Sequence, residues 1–240
     1  MDTFRIGTVL ELTRAAAIAS GRRCAVLVQG PLGEGFFKGM PLSLSGVERI
    51  MATMDWGEDT PITTGALEPA AAAGVGAGGV VFVVAPQNIA GGSVLPPLMA
   101  AVAAAERAGA AVVLVNPRLK DVPSSAGVMG VRGRADRLAD EASFVVAYHL
   151  RLLYANPTMP YPIRGALRHR YGQPWQVYAR EDIRGPPRSE AYVLAAEAEA
   201  EPGGTEITAA LKARREAVAA AERAAAAPAE GGGRKGGWWW

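Results

Sequence analysis

Six polar side chains are spaced along the chain so that they could form one anion-binding site. They follow two apolar runs or lie in the segments after them: Asn88, Ser93, Asn116, Arg118, Arg132 and Arg134. Amide and guanidinium groups donate hydrogen bonds to phosphates and carboxylates. The backbone amides of Gly91-Gly92-Ser93 open a helix, and helix N-termini attract anions. The pattern therefore indicates a pocket for a phosphate, a carboxylate or an acidic peptide.

The same residues also fit a purely structural role. Asparagine and proline make turns at strand ends, and both residue types occur in Pro86-Gln87-Asn88 and in Asn116-Pro117. Arginine side chains extend from such turns into solvent while their stems cover apolar surface. The residue types alone leave both interpretations open.

Two apolar runs position these side chains. Val80 to Ala85 and Ala111 to Val115 each predict a strand, and the alanine-rich segment from Ser93 to about Arg107 predicts a helix between them. Strands joined by such a helical crossover are parallel, with a right-handed connection. Asn88, Asn116 and Arg118 are therefore expected at one edge of the sheet, where open α/β sheets bind ligands.

Further helices and strands alternate on both sides of this unit. The pattern predicts helices over Thr8 to Ser20, Ser45 to Met54, Ala66 to Ala73, Val131 to Asp140 and Thr205 to Ala227. It predicts strands over Arg23 to Gln29, Ser143 to His149 (continuing towards Leu153), Trp175 to Ala179 and Tyr192 to Glu197. We expect an α/β fold with three layers: a mostly parallel sheet, helices on both faces and an antiparallel C-terminal hairpin. Residues 1–227 are expected to form a single domain. Residues 228–240, which end in three tryptophans (Trp238–Trp240), are expected to be a disordered low-complexity tail.

Several common chemistries have no signature in the chain. The glycines of residues 74–79 precede a strand instead of following one, so they are no dinucleotide fingerprint. There is no phosphate-binding loop and no serine nucleophile elbow. His149, expected to pack at a strand end, and His169, expected to face solvent, have no adjacent carboxylate motif. We therefore assign no catalytic residues and no cofactor, and the pattern argues against an enzyme.

The cysteine count and the hydropathy of the chain limit the kinds of crosslink, metal site and membrane segment that it can contain. The single cysteine, Cys24, rules out an internal disulfide and fits a small buried residue. No Cys/His cluster is present, so no metal site is predicted. No run approaches about 18 consecutive strongly apolar residues, so no transmembrane segment is expected.

One block of the chain is strongly basic. Residues 151–188 contain seven arginines and two acidic residues, a net charge of +5. This composition indicates a surface for an acidic protein or an anionic lipid, with three candidate partner-binding residues: Arg164, Arg168 and Arg170. RNA is an alternative partner, with Tyr171 and Trp175 as stacking platforms. The alternation around Trp175 also fits a tryptophan in the core beneath a solvated arginine surface.

Five segments, in this order, resemble a known domain of unknown function from plant and algal chloroplasts: Ala85-Pro86-Gln87-Asn88, Asn116-Pro117-Arg118, Val131-Arg132-Gly133-Arg134, Phe144 to Leu153, and Tyr171-Gly172-Gln173-Pro174-Trp175-Gln176-Val177-Tyr178. That domain occurs in a low-photosystem-II-accumulation assembly factor and at the C-terminus of a chloroplast adenylate kinase. The resemblance covers roughly residues 5–215. It implies a location in the chloroplast stroma or at the thylakoid surface, although no transit peptide is visible, and it implies no established catalytic residues.

Three functional hypotheses follow. The first is a non-enzymatic assembly or interaction domain of the chloroplast, with photosystem or thylakoid proteins as partners and peripheral contact with anionic lipid. The second is a small-ligand or nucleotide-handling domain that binds an anion at the strand carboxyl ends. The third, for which the pattern gives less support, is RNA binding through the basic block.

Overall fold

The computed structural model describes residues 6–30, 44–57, 61–88, 92–120, 134–156, 159–183 and 189–226. The helices are α1 Ile6–Ser20, α2 Leu44–Thr53, α3 Pro69–Ala73, α4 Leu95–Arg107, α5 Arg134–Ala142 and α6 Gly204–Ala226. The strands are β1 Cys24–Val28, β2 Ile62–Ala66, β3 Val80–Val84, β4 Ala111–Val115, β5 Tyr148–Asn156, β6 Met159–Arg170, β7 Trp175–Ile183 and β8 Ser189–Ala198. The chain divides into two compact units, Met1–Phe144 and Val145–Trp240.

The first unit contains a four-stranded parallel sheet in the order β2-β1-β3-β4. β1 and β3 lie in its centre, and every residue of both strands is buried. On one face, Leu27 and Val83 pack with α3 and α4; on the other, Val26 and Phe82 pack with α1 and α2. Burial on both faces explains why these strands are continuous apolar runs. The predicted α/β fold with helices on both faces is confirmed.

The second unit contains a separate antiparallel sheet in the order β5-β6-β7-β8. Helix α6 packs on one face, where Ile207 and Leu211 join a buried cluster with Leu167, Val177 and Trp175. The predicted antiparallel hairpin exists as β7 and β8, but it belongs to a four-stranded sheet. Residues 1–227 as one domain stays a prediction, and residues 228–240 lie outside the described residues.

Two strands escaped the sequence patterns. β2 (Ile62–Ala66) forms the sheet edge and is only partly buried, so it has no strong apolar run. β6 begins with Pro160 and Pro162, which normally argue against a strand. In the described pairings neither proline has a partner: Met159 and Ile163 pair with β5 across an irregularity, and the pairing with β7 begins at Gly165.

Two element boundaries were also wrong. The strand predicted from Ser143 towards Leu153 exists as β5, but it begins only at Tyr148, and the exposed residues Val145 and Val146 precede it. The helix predicted over Ala66 to Ala73 is confined to Pro69–Ala73, because Ala66 is the last residue of β2. Among the described residues, no helix combines the length and apolar character that crossing a membrane requires.

Candidate functional site

The neighbouring strands β3 and β4 end in the same backbone kink. Ala85 and Asn116, each the first residue after its strand, have positive φ angles of 45° and 53°, and a proline follows each of them. Asparagine tolerates this left-handed conformation, whereas it costs alanine roughly 1–2 kcal/mol. The kinks leave the backbone paired: the Ala85 amide donates to the Val115 carbonyl (2.7 Å), and the Arg118 amide donates to the Pro86 carbonyl (2.8 Å). The sheet therefore continues past both kinks, to the bridge between Gln87 and Arg118.

A buried glutamine joins β1 to this extension. The Gln29 side chain donates from Nε2 to the carbonyl of Gln87 (3.2 Å) and accepts at Oε1 from the amide of Gln87 (2.6 Å). It thereby supplies both hydrogen bonds that a neighbouring strand would give. Sequence reasoning missed Gln29 as a site residue. Its one signal was its position, a polar residue directly after an entirely apolar strand.

Asn88 is a buried junction between three segments. Its Oδ1 accepts hydrogen bonds from Ser93 Oγ (3.0 Å) and from the Val94 amide (2.8 Å). Its Nδ2 donates to the carbonyl of Leu119, and its own amide donates to the carbonyl of Arg118 (3.0 Å). Both acceptor positions of the side chain are thus used inside the protein. Asn88 ties the end of β3 to the start of α4 and to the segment after β4.

The first turn of α4 has its amides engaged. The Val94 amide binds Asn88, and the Leu95 amide binds Ser93 Oγ (3.2 Å). Pro96 and Pro97 have no N–H, and the Leu98 amide donates to the Val94 carbonyl (3.0 Å). From Val94 onward, this helix start therefore offers an anion few of the donors that make N-termini anion sites.

The six predicted ligand-binding residues thus separate into groups. The structure brings together Asn88, Ser93 and the backbone of Arg118. The side chains of Asn116 and Arg118 are exposed, as is Arg134, the first residue of α5. Arg132 lies outside the described residues. Ligand binding at this edge stays a prediction, and the contacts of Asn88 and Ser93 already have a structural explanation.

The second unit presents a different candidate surface, on the face of its sheet opposite α6. In β6, Arg168 and Arg170 point to this face, where Leu150 and Tyr148 of β5 lie opposite them. The exposed fractions of Leu150 and Tyr148 are 57% and 59%. We call these four residues the basic end of the face.

Arg164, the third predicted partner residue, is exposed but lies at an irregularity of β6. Gly165 pairs with Leu153 and Ile163 pairs with Tyr154, so Arg164 is the extra residue of a bulge. The regular alternation that aligns Arg168 with Arg170 therefore does not extend to Arg164.

Two contacts orient Arg168. Its guanidinium carbon lies 6.0 Å from the centroid of the Tyr178 ring, and its Nη1 donates to Tyr178 Oη (3.5 Å). Tyr178 Oη donates to Gln176 Oε1 (3.0 Å), and Gln176 Nε2 donates to Glu197 Oε1 (2.8 Å). This chain of hydrogen bonds crosses β6, β7 and β8.

At the other end of the same face, on β7 and β8, carboxylates neutralise the positive charge of an arginine. Arg180 on β7 forms ion pairs with Asp182 (2.9 Å) and with Glu190 of β8 (3.0 Å). Tyr192 and Leu194 of β8 are exposed nearby in the strand pairing. The face therefore has exposed apolar side chains at both ends, and at one end two arginines that form no ion pair with any described residue.

The face covered by α6 holds both histidines. The His169 ring stacks on Trp175 with centroids 4.6 Å apart, and the His149 ring lies tilted at 5.1 Å. Burial lowers the pKa of His149, and Arg151 and His169 lower it further, while Glu201 opposes the shift. Trp175 is core, as one interpretation held, and is not a stacking platform. The expectation of a solvent-facing His169 was wrong, because strand alternation turns it towards Trp175.

This histidine pair shows no catalytic arrangement. His149 Nε2 and His169 Nδ1 are buried without a hydrogen-bond partner in the described part of the chain, so no carboxylate orients either ring. Within the described ranges, no three His, Cys, Asp or Glu side chains are grouped so that they could hold a metal ion.

A protein-family model described as a domain of unknown function (DUF1995) matches residues 4–209. The chain belongs to this family. The DUF1995 match covers the described residues of the parallel sheet, all four strands of the antiparallel sheet and the start of α6, so the family's domain includes both units. No solved structure matches the chain significantly. The predicted resemblance to a domain of unknown function is thereby confirmed at the level of the family.

Proposed function

We propose that this DUF1995 protein is a non-enzymatic interaction domain that takes part in the assembly of photosystem proteins, in the chloroplast stroma or at the thylakoid surface. The observation that carries the proposal is the face of the antiparallel sheet opposite α6. The residue patterns that resemble the chloroplast assembly factor supply the location and the class of partner.

The exposed apolar residues of this face support a docking role. Leu150 and Leu194 lie on different strands and remain 57% and 42% exposed. Burying a leucine fully stabilises a complex by about 1.5–3 kcal/mol, and each of these leucines offers apolar surface at one edge of the sheet. Arginine and tyrosine, both present on the face, are enriched where interfaces bind most strongly.

The charge at the basic end favours an acidic partner. The acidic residues that the strand pairing places on this face are engaged elsewhere: Asp182 and Glu190 pair with Arg180, and Glu197 accepts a hydrogen bond from Gln176. In the described part of the chain, neither Arg168 nor Arg170 is ion-paired, so both remain available to a partner's carboxylates. Opposite charge across an interface raises the association rate and fixes its register.

An affinity experiment tests this function. The purified full chain is incubated with isolated stroma and solubilised thylakoids, and photosystem subunits are identified and quantified by mass spectrometry. Wild type should recover defined photosystem or thylakoid proteins, and recovery should fall with rising salt. The double variant Leu150→Ser/Leu194→Ser should lose them.

The matched control is Leu12→Ser, on helix α1, where the leucine is 60% exposed. This variant should recover the same partners as wild type. Recovery of no photosystem or thylakoid protein by the wild type would refute the proposal. Equal loss with Leu12→Ser would show that the face is not the docking surface.

A further inference from the structure

The arginines of the basic end differ from the third arginine of the same face in what binds them. Arg180 is held by two carboxylates, from Asp182 and Glu190. Glu197, the acidic residue on the Arg168 row of the face, is bonded to Gln176 instead. Of the described carboxylates, none pairs with Arg168 or Arg170.

Arg168 is also held in place before any partner arrives. Tyr178 contacts its guanidinium from one side, and the Tyr178 hydroxyl is fixed in turn by Gln176. An arginine side chain that is already fixed loses less conformational entropy when it binds a partner. A larger part of the free energy of each hydrogen bond to the partner therefore contributes to affinity. The donors of its planar guanidinium that Tyr178 does not use match the two oxygens of a carboxylate.

The spacing of the two arginines defines the partner further. Arg168 and Arg170 are alternate residues of one strand, so their Cα atoms lie about 6.6–6.8 Å apart. Alternate side chains of an extended polypeptide have the same spacing. Leu150 lies directly opposite Arg168 and offers an apolar contact but no stacking surface for a base, whereas Tyr148 lies opposite Arg170. Of the two aromatic residues that RNA would use for stacking, Trp175 is buried on the other face and Tyr171 is 74% exposed, so RNA is the competing ligand that a test of this site must include.

We propose that the basic end is a carboxylate-binding site for an extended acidic segment of a partner protein. Arg168 and Arg170 bind two acidic side chains at alternate positions, and Leu150 and Tyr148 contact the apolar residues beside them. Tyr178 is a positioning residue for Arg168. This inference rests on the proposed function, whose docking face it assigns to a class of partner.

Synthetic peptides test the site by fluorescence anisotropy with the full chain. The first peptide carries two glutamates at alternate positions flanked by leucines; the second carries lysines at those positions, and the third carries the two glutamates side by side. Wild type should bind the first peptide at least about tenfold more tightly than either of the others. Arg168→Glu/Arg170→Glu should reverse the preference and bind the lysine peptide instead.

Two further variants separate the site from general effects. Arg22→Glu/Arg215→Glu makes the same charge change at exposed positions in the turn after α1 and on α6, and it should retain the wild-type preference. Tyr178→Phe should weaken binding of the first peptide by about two- to fivefold, a modest hydrogen-bond loss, and leave the peptide preference unchanged. An unchanged affinity in Tyr178→Phe would remove its positioning role.

Two other anions complete the experiment: single-stranded oligouridylate and phosphatidylglycerol vesicles. Tighter binding of either one than of the acidic peptide would overturn the inference in favour of phosphate recognition. An equal affinity of wild type for the glutamate and lysine peptides would also overturn it. If photosystem proteins are still recovered by the affinity experiment, such failures refute the carboxylate site alone and leave the docking function standing.

Discussion

Replacing Asn88 tests whether the edge of the parallel sheet is built for structure or for ligand binding. Asn88→Ala removes the hydrogen bonds to Ser93 Oγ, the Val94 amide and the Leu119 carbonyl. Asn88 is only 4% exposed, so the Val94 amide and the Leu119 carbonyl would be left unpaired in a buried site. Each such group costs about 1–3 kcal/mol, whereas the half-buried Ser93 hydroxyl can bind water. For the two groups together we expect a loss of about 2–6 kcal/mol.

Urea unfolding measures this loss, and hydrogen exchange locates it. Peptides that cover β3, α4 and β4 should exchange about thirtyfold faster or more, since each 1.4 kcal/mol is a factor of ten when exchange follows local opening. The control is Gln87→Ala, which removes a neighbouring amide side chain that bonds no other described residue. The structural interpretation is refuted if Asn88→Ala is as stable as Gln87→Ala. In that case Asn88 would again be a candidate ligand-binding residue.

Three other substitutions probe the fold. A Cβ at Gly165 would meet the carbonyl oxygen of Tyr178, so Gly165→Ala should destabilise the second unit by about 1–3 kcal/mol or more, measured by thermal unfolding; an unchanged melting temperature would contradict the tight β6–β7 contact. Burial lowers the pKa of His149, so the unfolded state takes up its proton first as pH falls. Stability should therefore be complete above about pH 6.5 and decline below it, and His149→Gln should flatten this decline in urea titrations at several pH values. If the decline is equally steep in that variant, another group causes it. Ala85→Gly should relieve the left-handed strain, which stabilises the fold by up to about 1 kcal/mol and raises the melting temperature. A lower melting temperature would show that the kink is unstrained.

The sequence predicted the centre of the first unit because its strands are uniform. Each residue of β3 is buried, so Val80–Val84 is an uninterrupted apolar run, and the helix before β4 has a clear end at Gly109. The strands that were missed have mixed environments. β6 carries Pro160 and Pro162 near its start and three arginines around the buried residues Ala166 and Leu167, so it has no continuous apolar run that would predict a strand.

The residues of the candidate sites could be predicted from the sequence, but their spatial arrangement could not. Asn88 was singled out, yet its role depends on the Leu119 carbonyl, 31 residues away, which no local pattern contains. Arg168 and Arg170 were assigned to a partner surface from charge. That they share a face with Leu150 follows only from the pairing of β5 with β6. Tertiary pairing of this kind is where single-sequence patterns lose information.

Photo-crosslinking from the docking face tests the central claim most directly. A photoreactive amino acid replaces Leu150 in one variant of the full chain and Leu12 in another; both positions are more than half exposed. Each protein is illuminated with solubilised thylakoids, and crosslinked peptides are sequenced. Position 150 should crosslink to a defined acidic segment of a photosystem or thylakoid protein, and position 12 should not. Crosslinks from position 12 alone, or none from position 150, would contradict the assignment of this face as the partner surface.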